Sequence, residues 1–392
     1  MDYAIPEDFQ FPPDELSEAP LPLFDAPPPQ EELFARLRLS RSRRVGPATF
    51  RRLIAEHGDA RTALAALPDI ARAAGDSGYE VATEAMVRAE IRAARKHGAR
   101  LLTLGAPGYP ARLNDVADAP AILWAQGDPA LLARPTVAVV GTRNASSLAL
   151  RMARALGRDL AKAGVTVVSG LARGVDTVAH EASLPGGTVA VHAGGLDRVY
   201  PAENADLAAR IAAEGCSLSE RPFGYGPQAR DFPRRNRIVS GVALAVVVVE
   251  AAAKSGSMIT ARDALDQGRE VLAVPGHPFD GRASGCNLLL RDGATLVRGA
   301  EDILEVLAGL RDDVVPTARP VIAPVVPALE PATDIDGRIL DLLSPVPVAE
   351  DQLLRDLAAA GAVASRHLAT RLSEMELAGL IARRAGGGLV RL

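Results

Sequence analysis

The stretch Thr136-Val137-Ala138-Val139-Val140-Gly141-Thr142-Arg143-Asn144-Ala145-Ser146 reads as a strand that runs into a tight turn and then a helix. A short valine-rich run without alternation suits a strand covered on both faces, the habit of a parallel sheet. Gly141 is the residue at which such a strand turns. A helix beginning near Ser146 would aim its unpaired N–H groups at whatever lies beside Arg143. The stretch is therefore an anion site in outline, or simply the first βα turn of a doubly wound sheet. Arg143 and the loops further along bear on that choice.

From 136 to 310 the pattern alternates apolar strand with amphipathic helix. Strands are expected at Val137–Val140, Val165–Ser169, Thr188–Ala193, Ser217–Ser219, Leu244–Glu250, Glu270–Val274 and Thr295–Val297, with helices at 147–163, 176–183, 205–214, 257–267 and 301–309. Repeated βα units imply a Rossmann-like α/β fold, a doubly wound and mostly parallel sheet with helices on both faces. Ligands of such sheets bind beyond the carboxyl ends of the strands, so the loops there should carry the function.

The flanks differ in kind. Residues 1–30 hold eight prolines and seven acidic residues with no Lys or Arg, which reads as a disordered acidic tail, a solvated leader or a competitor for a basic face. Residues 31–104 are helical in pattern. There Arg41-Ser42-Arg43-Arg44-Val45-Gly46-Pro47 turns one short helix into another, as in a helix-hairpin-helix that holds a DNA phosphate or in a plain αα-hairpin. Arg43, Arg44 and Gly46 are the candidate contacts in this unit. A helix over 85–99 and a short strand at Leu101–Leu104 lead into the domain assigned to 105–310. Residues 311–333 carry five prolines and read as a linker. Residues 334–392 offer three helices and a glycine-tipped hairpin, the pattern of a winged helix. Its third helix bears Arg366, His367 and Arg371, suited to duplex DNA or to protein contacts.

The 392 residues are 48% hydrophobic, 23% charged and 4% aromatic, a composition for globular domains with ample aliphatic core. The net charge of −4 is misleading, because the acidic leader accounts for −7 and leaves +3 on residues 31–392. The apolar run Val242–Val249 is far shorter than the roughly 20 residues of a membrane span, and no basic region followed by an apolar stretch opens the chain, so a cytoplasmic protein is expected. Cys216 and Cys286 stand 70 residues apart with no CxxC or Cys/His cluster, so neither a disulfide framework nor a metal site is expected.

Four loops fall at strand ends. Gly141-Thr142-Arg143 and Ser169-Gly170-Leu171-Ala172-Arg173-Gly174 combine backbone donors with guanidinium groups, which is chemistry for a phosphate. Asp176 would repel that phosphate, and is expected to cap the following helix. His180, one turn later, is expected in a structural hydrogen bond rather than in acid/base or metal chemistry. The third loop, residues 194–204, carries Tyr200. The fourth, Phe232-Pro233-Arg234-Arg235-Asn236-Arg237, sets a ring before three arginines and an amide, which is what single-stranded nucleic acid requires. Lys254-Ser255-Gly256-Ser257 adds another helix start at the same edge. The chain lacks G-x-G-x-x-G after the first strand and lacks a P-loop, so no dinucleotide or ATP cofactor is expected.

In order along about 140 residues, VGTRNAS, SGLARGVDTVAH, GGLDRVYPAEN, LSERPFG, FPRRNRIVSG, VVVVEAAAKSGSMITARDAL and AVPG resemble the DNA-processing protein A (DprA/Smf) family. The resemblance implies a non-enzymatic protein that binds single-stranded DNA in a basic pocket of a Rossmann-like domain, forms a homodimer through it, and passes incoming DNA to a RecA-type recombinase in natural transformation. It also implies a SAM-like or helix-hairpin-helix N-terminal unit and a winged-helix C-terminal unit. Family contacts carry over to Arg143 and to residues 232–237, with the Ser169-Gly170 loop beside them. The expected single-stranded DNA site is thus Gly141, Arg143, Ser169, Gly170, Arg173, Phe232, Arg234, Arg235, Asn236, Arg237 and Lys254, with Tyr200 as a second stacking ring. Ala202 departs from the family, which often has a basic residue after Tyr-Pro.

Two other classes compete. Phosphoribohydrolases of the lysine-decarboxylase-like group carry PGGxGTxxE, whereas Pro185-Gly186-Gly187 is followed here by Thr188-Val189-Ala190 without the Gly-Thr and the Glu. A duplex-binding regulator would work through the winged helix.

Overall fold

The computed structural model describes residues 28–314, with side chains as far as 310, and isolated positions and short strands between 339 and 391. The chain divides into two compact units, Met1–Val315 and Pro316–Leu392. Most of the acidic leader, the 311–333 segment beyond Val314, and Arg366, His367 and Arg371 lie outside the described residues.

The first unit is built around β3 (Thr136–Val140), every residue of which is buried. Its pleat sends Val137 and Val139 into one core and Ala138 and Val140 into the other, which is why the run shows no polar alternation. Parallel neighbours β4 (Thr166–Ser169) and β7 (Ala245–Val248) flank it, with Val137 opposite Val167 and Ala245. Continuing outward, β5 (Thr188–Val191) and β6 (Cys216–Ser219) extend one side, β8 (Glu270–Ala273) and β9 (Thr295–Leu296) the other. Beyond β6 the sheet turns antiparallel through β2 (Ile122–Gly127) and β1 (Arg100–Thr103), giving nine strands in the order β1-β2-β6-β5-β4-β3-β7-β8-β9.

Helices α6 (Ser147–Lys162), α7 (Val175–Ser183) and α12 (Ala300–Val314) cover one face of β3. The opposite face takes α9 (Asp231–Gly241), α10 (Gly256–Asp266) and α11 (Ser284–Arg291). α8 (Ala205–Glu214) packs through Leu207, Ala208 and Ile211 beside β5. Helices α1 (Gln30–Arg41), α2 (Pro47–His57), α3 (Ala60–Ala73) and α4 (Glu84–Lys96) make the N-terminal helical bundle. Trp124 of β2 joins it to the sheet, donating to Glu90, which also holds Arg41 at 2.7 Å.

β2, the single-turn α5 (Ala111–Asn114), α9 and α11 are elements that periodicity does not anticipate. The run Ile122-Leu123-Trp124-Ala125 is a short apolar segment of either type until its partners are known. α9 hides its helical signal because its buried face uses Asp231, Arg235 and Ser240 beside Ile238 and Val239.

In the second unit, β10 (Val348–Ala349), β12 (Gly388–Arg391) and β11 (Ile381–Arg383) form an antiparallel sheet in that order. Ile339, Leu343, Leu353, Leu372, Met375, Ile381 and Leu389 bury its core.

Candidate nucleic-acid interface

Beyond the carboxyl ends of β4 and β5 lies a small cleft. Gly170 and Leu171 after β4, His192, Ala193 and Gly194 after β5, Arg198 and Tyr200 of the next loop, and Phe232 and Arg235 of α9 line it.

The floor is a buried polar network. Arg235 is 7% exposed, and its Nη1 donates to Gly170 O at 2.5 Å and to Val191 O. A side chain at position 170 would put its Cβ 2.3 Å from Arg235 Nη2, so the guanidinium fits only because residue 170 is glycine. Asp176 Oδ2 accepts from Gly170 N at 3.1 Å and Ala172 N at 3.3 Å. It therefore staples the 170–172 loop and does not cap α7, correcting the expectation for that residue; its position inside the first turn leaves the loop N–H groups within reach. Burial lowers the Arg235 pKa to about 10 against the opposing pull of Asp176, and burial raises that of Asp176. Burial, with the Arg235 charge acting in the same direction, lowers the His192 pKa to about 4 and holds it neutral. His180 is buried likewise, lowered to about 3, and pairs through Nδ1 with Thr188 Oγ1 at 2.8 Å.

The wall is a cluster of flat groups. The Arg143 guanidinium carbon lies 5.2 Å from the Phe232 ring centre, and the Tyr200 ring lies 5.3 Å from Phe232 at 57°. Tyr200 is 54% exposed. A cation over a ring beside a second ring offers charge and flat apolar surface together. Phe232 is aimed by Asp231 at the start of α9, whose buried carboxylate accepts from Arg221, from the Tyr225 hydroxyl at 3.1 Å and from Gln228 N at 2.8 Å.

The expected site residues fall into separate groups. Arg143, Arg234 and Lys254 are exposed, and none of them makes an ion pair among the described residues. Arg173 is tied to Glu203 at 2.6 Å. Arg237 does not join the cleft, because Glu220 at 2.7 Å and Asp118 at 3.4 Å hold its guanidinium. Ser169 is fully buried and its hydroxyl donates to Val139 O at 2.7 Å, so it offers the cleft no free group. Asn236 bridges Arg235 Nε and Gly256 O. Gly141 admits Val175, whose Cγ2 would stand 2.5 Å from an added Cβ, and its carbonyl accepts from Ser257. Arg43 and Arg44 both reach Asp76, at 2.7 and 3.3 Å, while Gly46 caps α2 ahead of Pro47 with open space around it.

The mouth of α6 is not an open anion seat. Glu250, at the end of β7, accepts from Ser146 N at 2.9 Å, and its carbonyl accepts from Thr142 N at 2.7 Å. The chain's own carboxylate occupies the helix N-terminus and the Arg143 side chain turns to Phe232 instead. Arg198 and His192 are cleft residues not singled out in sequence, though Arg198 stands two residues before Tyr200 in a loop of turn residues. Among the described residues no group of three or more His, Cys, Asp or Glu could hold a metal ion, and no helix is long and apolar enough to cross a membrane.

Residues 100–308 match the family model described as DNA recombination-mediator protein A, residues 30–93 a DprA-like N-terminal HHH domain, and residues 323–387 a DprA winged helix domain. Over 220 residues the chain is 42% identical to the DNA processing protein DprA of Bacillus subtilis, covering 55% of this chain and 74% of that one. It is 40% identical over 296 residues to Protein Smf of Escherichia coli, covering 72% and 75%. The X-ray structure of DNA processing protein A from Streptococcus pneumoniae superposes with a TM-score of 0.59 at 33% identity over 70% of this chain and 97% of that one. A structure of DNA processing protein A from Helicobacter pylori, which concerns its single-stranded DNA binding mode, gives a TM-score of 0.50 at 32% identity over 55% and 96%. The chain, with its nine-stranded sheet, helical N-terminal bundle and small C-terminal β-sheet unit, belongs to the DNA processing protein A (DprA/Smf) family.

Proposed function

We propose that this chain binds single-stranded DNA in the cleft beyond β4 and β5, acts as a homodimer in the cytoplasm, and passes the strand to a RecA-type recombinase during natural transformation. The observation that carries the reading is the Arg143 guanidinium over the Phe232 ring with the Tyr200 ring against it. Flat surfaces hold a base and the arginines meet the phosphates, with little preference for sequence. The Helicobacter pylori relative, whose structure concerns single-stranded DNA binding, supports the assignment. In this reading Arg43, Arg44 and Gly46 supply an accessory contact, and the five segments 1–30, 31–104, 105–310, 311–333 and 334–392 are leader, helical domain, DNA-binding domain, linker and winged helix.

The protein acts by binding and not by catalysis. His180 and His192 are buried and neutral, and the Ser169 hydroxyl is turned into the sheet. Pro185-Gly186-Gly187, the stretch nearest to a phosphoribohydrolase motif, precedes β5 and so lies at the amino ends of the parallel strands, away from the cleft. Gel shifts with single and double strands, with and without recombinase, test the proposal. It requires a single-strand complex that recruits recombinase, and preferential duplex binding by the whole chain would overturn it.

A further inference from the structure

The loop after β8, Val274-Pro275-Gly276-His277-Pro278-Phe279-Asp280, carries the most exposed large apolar side chain among the described residues, Phe279 at 95%. The loop is anchored, not frayed. Gly276 exchanges hydrogen bonds with the Asn287 amide at 3.2 and 3.0 Å, and Phe279 N donates to His277 Nδ1 at 3.3 Å. The His277 and Phe279 rings stand 5.6 Å apart at 38°, so a second pair of flat faces is held in solvent. Lys254 belongs to the adjoining loop, which is joined to the start of α11 by Ala253 N to Ser284 Oγ at 3.1 Å and Gly285 N to Ala251 O at 2.8 Å. The Lys254 ammonium has no carboxylate partner among the described residues, whereas Arg282 is satisfied by Asp280 at 3.0 Å.

We infer that His277, Phe279 and Lys254 form a second stacking and phosphate subsite, which takes nucleotides flanking those held in the cleft. The inference rests on the reading of that cleft as a single-stranded DNA seat. Both features lie beyond carboxyl ends of the same sheet, and β8 stands three strands from β4. Three intervals of about 4.8 Å set the two strand ends roughly 14 Å apart. Phosphates repeating at about 3.4 Å or more along a strand cover that distance in about four nucleotides. A ring pair and a cation on neighbouring loops, both tied to α11, match a base and a phosphate of one strand. A protein-docking face would present a contiguous apolar patch, and here Phe279 is bordered by Asp280, Arg282 and His277.

The test uses the full chain with labelled oligothymidylates of about three and about fifteen nucleotides, the first too short to span the two subsites and the second near the upper site size of single-strand binders. Phe279→Ala should weaken the longer strand about tenfold, the scale of one lost base stack, and leave the shorter one unchanged. Phe279→Trp should bind both as the natural chain does, with emission quenched by the longer strand alone, because Trp124 is buried. Unchanged binding of the longer strand by Phe279→Ala overturns the inference, as does equal weakening at both lengths. A change in sedimentation on Phe279→Ala overturns it in favour of an interface between copies. If the natural chain binds neither length, the cleft reading falls and takes this inference with it, whereas a normal cleft with an inert Phe279 sinks the second subsite alone.

Discussion

Two neighbouring arginines of one motif should behave as different kinds of residue. Arg235→Ala removes a guanidinium that donates to Gly170 O and Val191 O and that faces the Asp176 carboxylate. Each charge-assisted bond is worth about 1.5–3 kcal/mol. The offsetting gain is relief of a desolvated charge, visible as the lowering of the Arg235 pKa to about 10 by burial. Leaving the two buried carbonyls without their donor costs about 1–3 kcal/mol each. Against a total stability of about 5–15 kcal/mol this is large, and it corresponds to a fall in Tm of about 10 °C for a domain of this size. Arg234→Ala removes an exposed side chain with no ion pair among the described residues, so stability should stay within about 0.5 kcal/mol. Its single-strand affinity should fall at low salt, and the slope of log K against log salt should flatten by about 0.7. Urea denaturation and fluorescence anisotropy on the two variants measure both effects. Equal loss of stability in the two, or an Arg235→Ala chain as stable as the natural one, would refute the division into floor and rim.

Gly170→Ala should act like a milder Arg235→Ala, since the new Cβ would stand 2.3 Å from Arg235 Nη2. A destabilisation of about 1–3 kcal/mol is expected from such overpacking, and a neutral result in chemical denaturation would contradict the packing described. Stability should also fall in acid in a defined window. His180 and His192 have pKa values lowered to about 3 and about 4 from 6.5. The unfolded chain therefore binds more protons below about pH 6.5, and each imidazole removes about 1.4 kcal/mol per pH unit until its folded pKa is reached. Urea midpoints between about pH 7 and 4 should show this slope and should flatten in His192→Gln; an unchanged slope in that variant rules the histidine out as its source. Phe232→Ala should weaken single-strand binding about tenfold while leaving the fold intact, because the ring is the shared partner of Arg143 and Tyr200. Undiminished affinity would remove the stack from the site.

What the sequence displays depends on whether a residue's neighbours are local. β3 is legible because its Val and Ala residues bury both faces, and the same holds for β4, β5 and β7. β2 is not, since its type is set by antiparallel pairing with β6, whose register lies about 90 residues away in sequence. In the run Arg234-Arg235-Asn236-Arg237 composition announces a basic surface but not which cation is free. Helical spacing from Asp231 through Arg235 to Ile238 and Val239 marks Arg235 as inward once α9 is recognised as a helix. No local signal reports that Glu220 and Asp118 engage Arg237, or that Glu250 fills the mouth of α6, because those partners come from other elements. Gly141 to Arg143 remains beside the site, with Arg143 as a cation stacked on Phe232 in place of an anion-binding helix mouth.

The most direct test of the central claim is a salt titration of single-stranded oligothymidylate binding to the natural chain and to Arg143→Ala, followed by anisotropy with a duplex of equal length as comparison. The account predicts tighter single-strand than duplex binding, and in Arg143→Ala a weaker complex whose slope against log salt is shallower by about 0.7. Equal affinities and equal slopes for the two chains would contradict it.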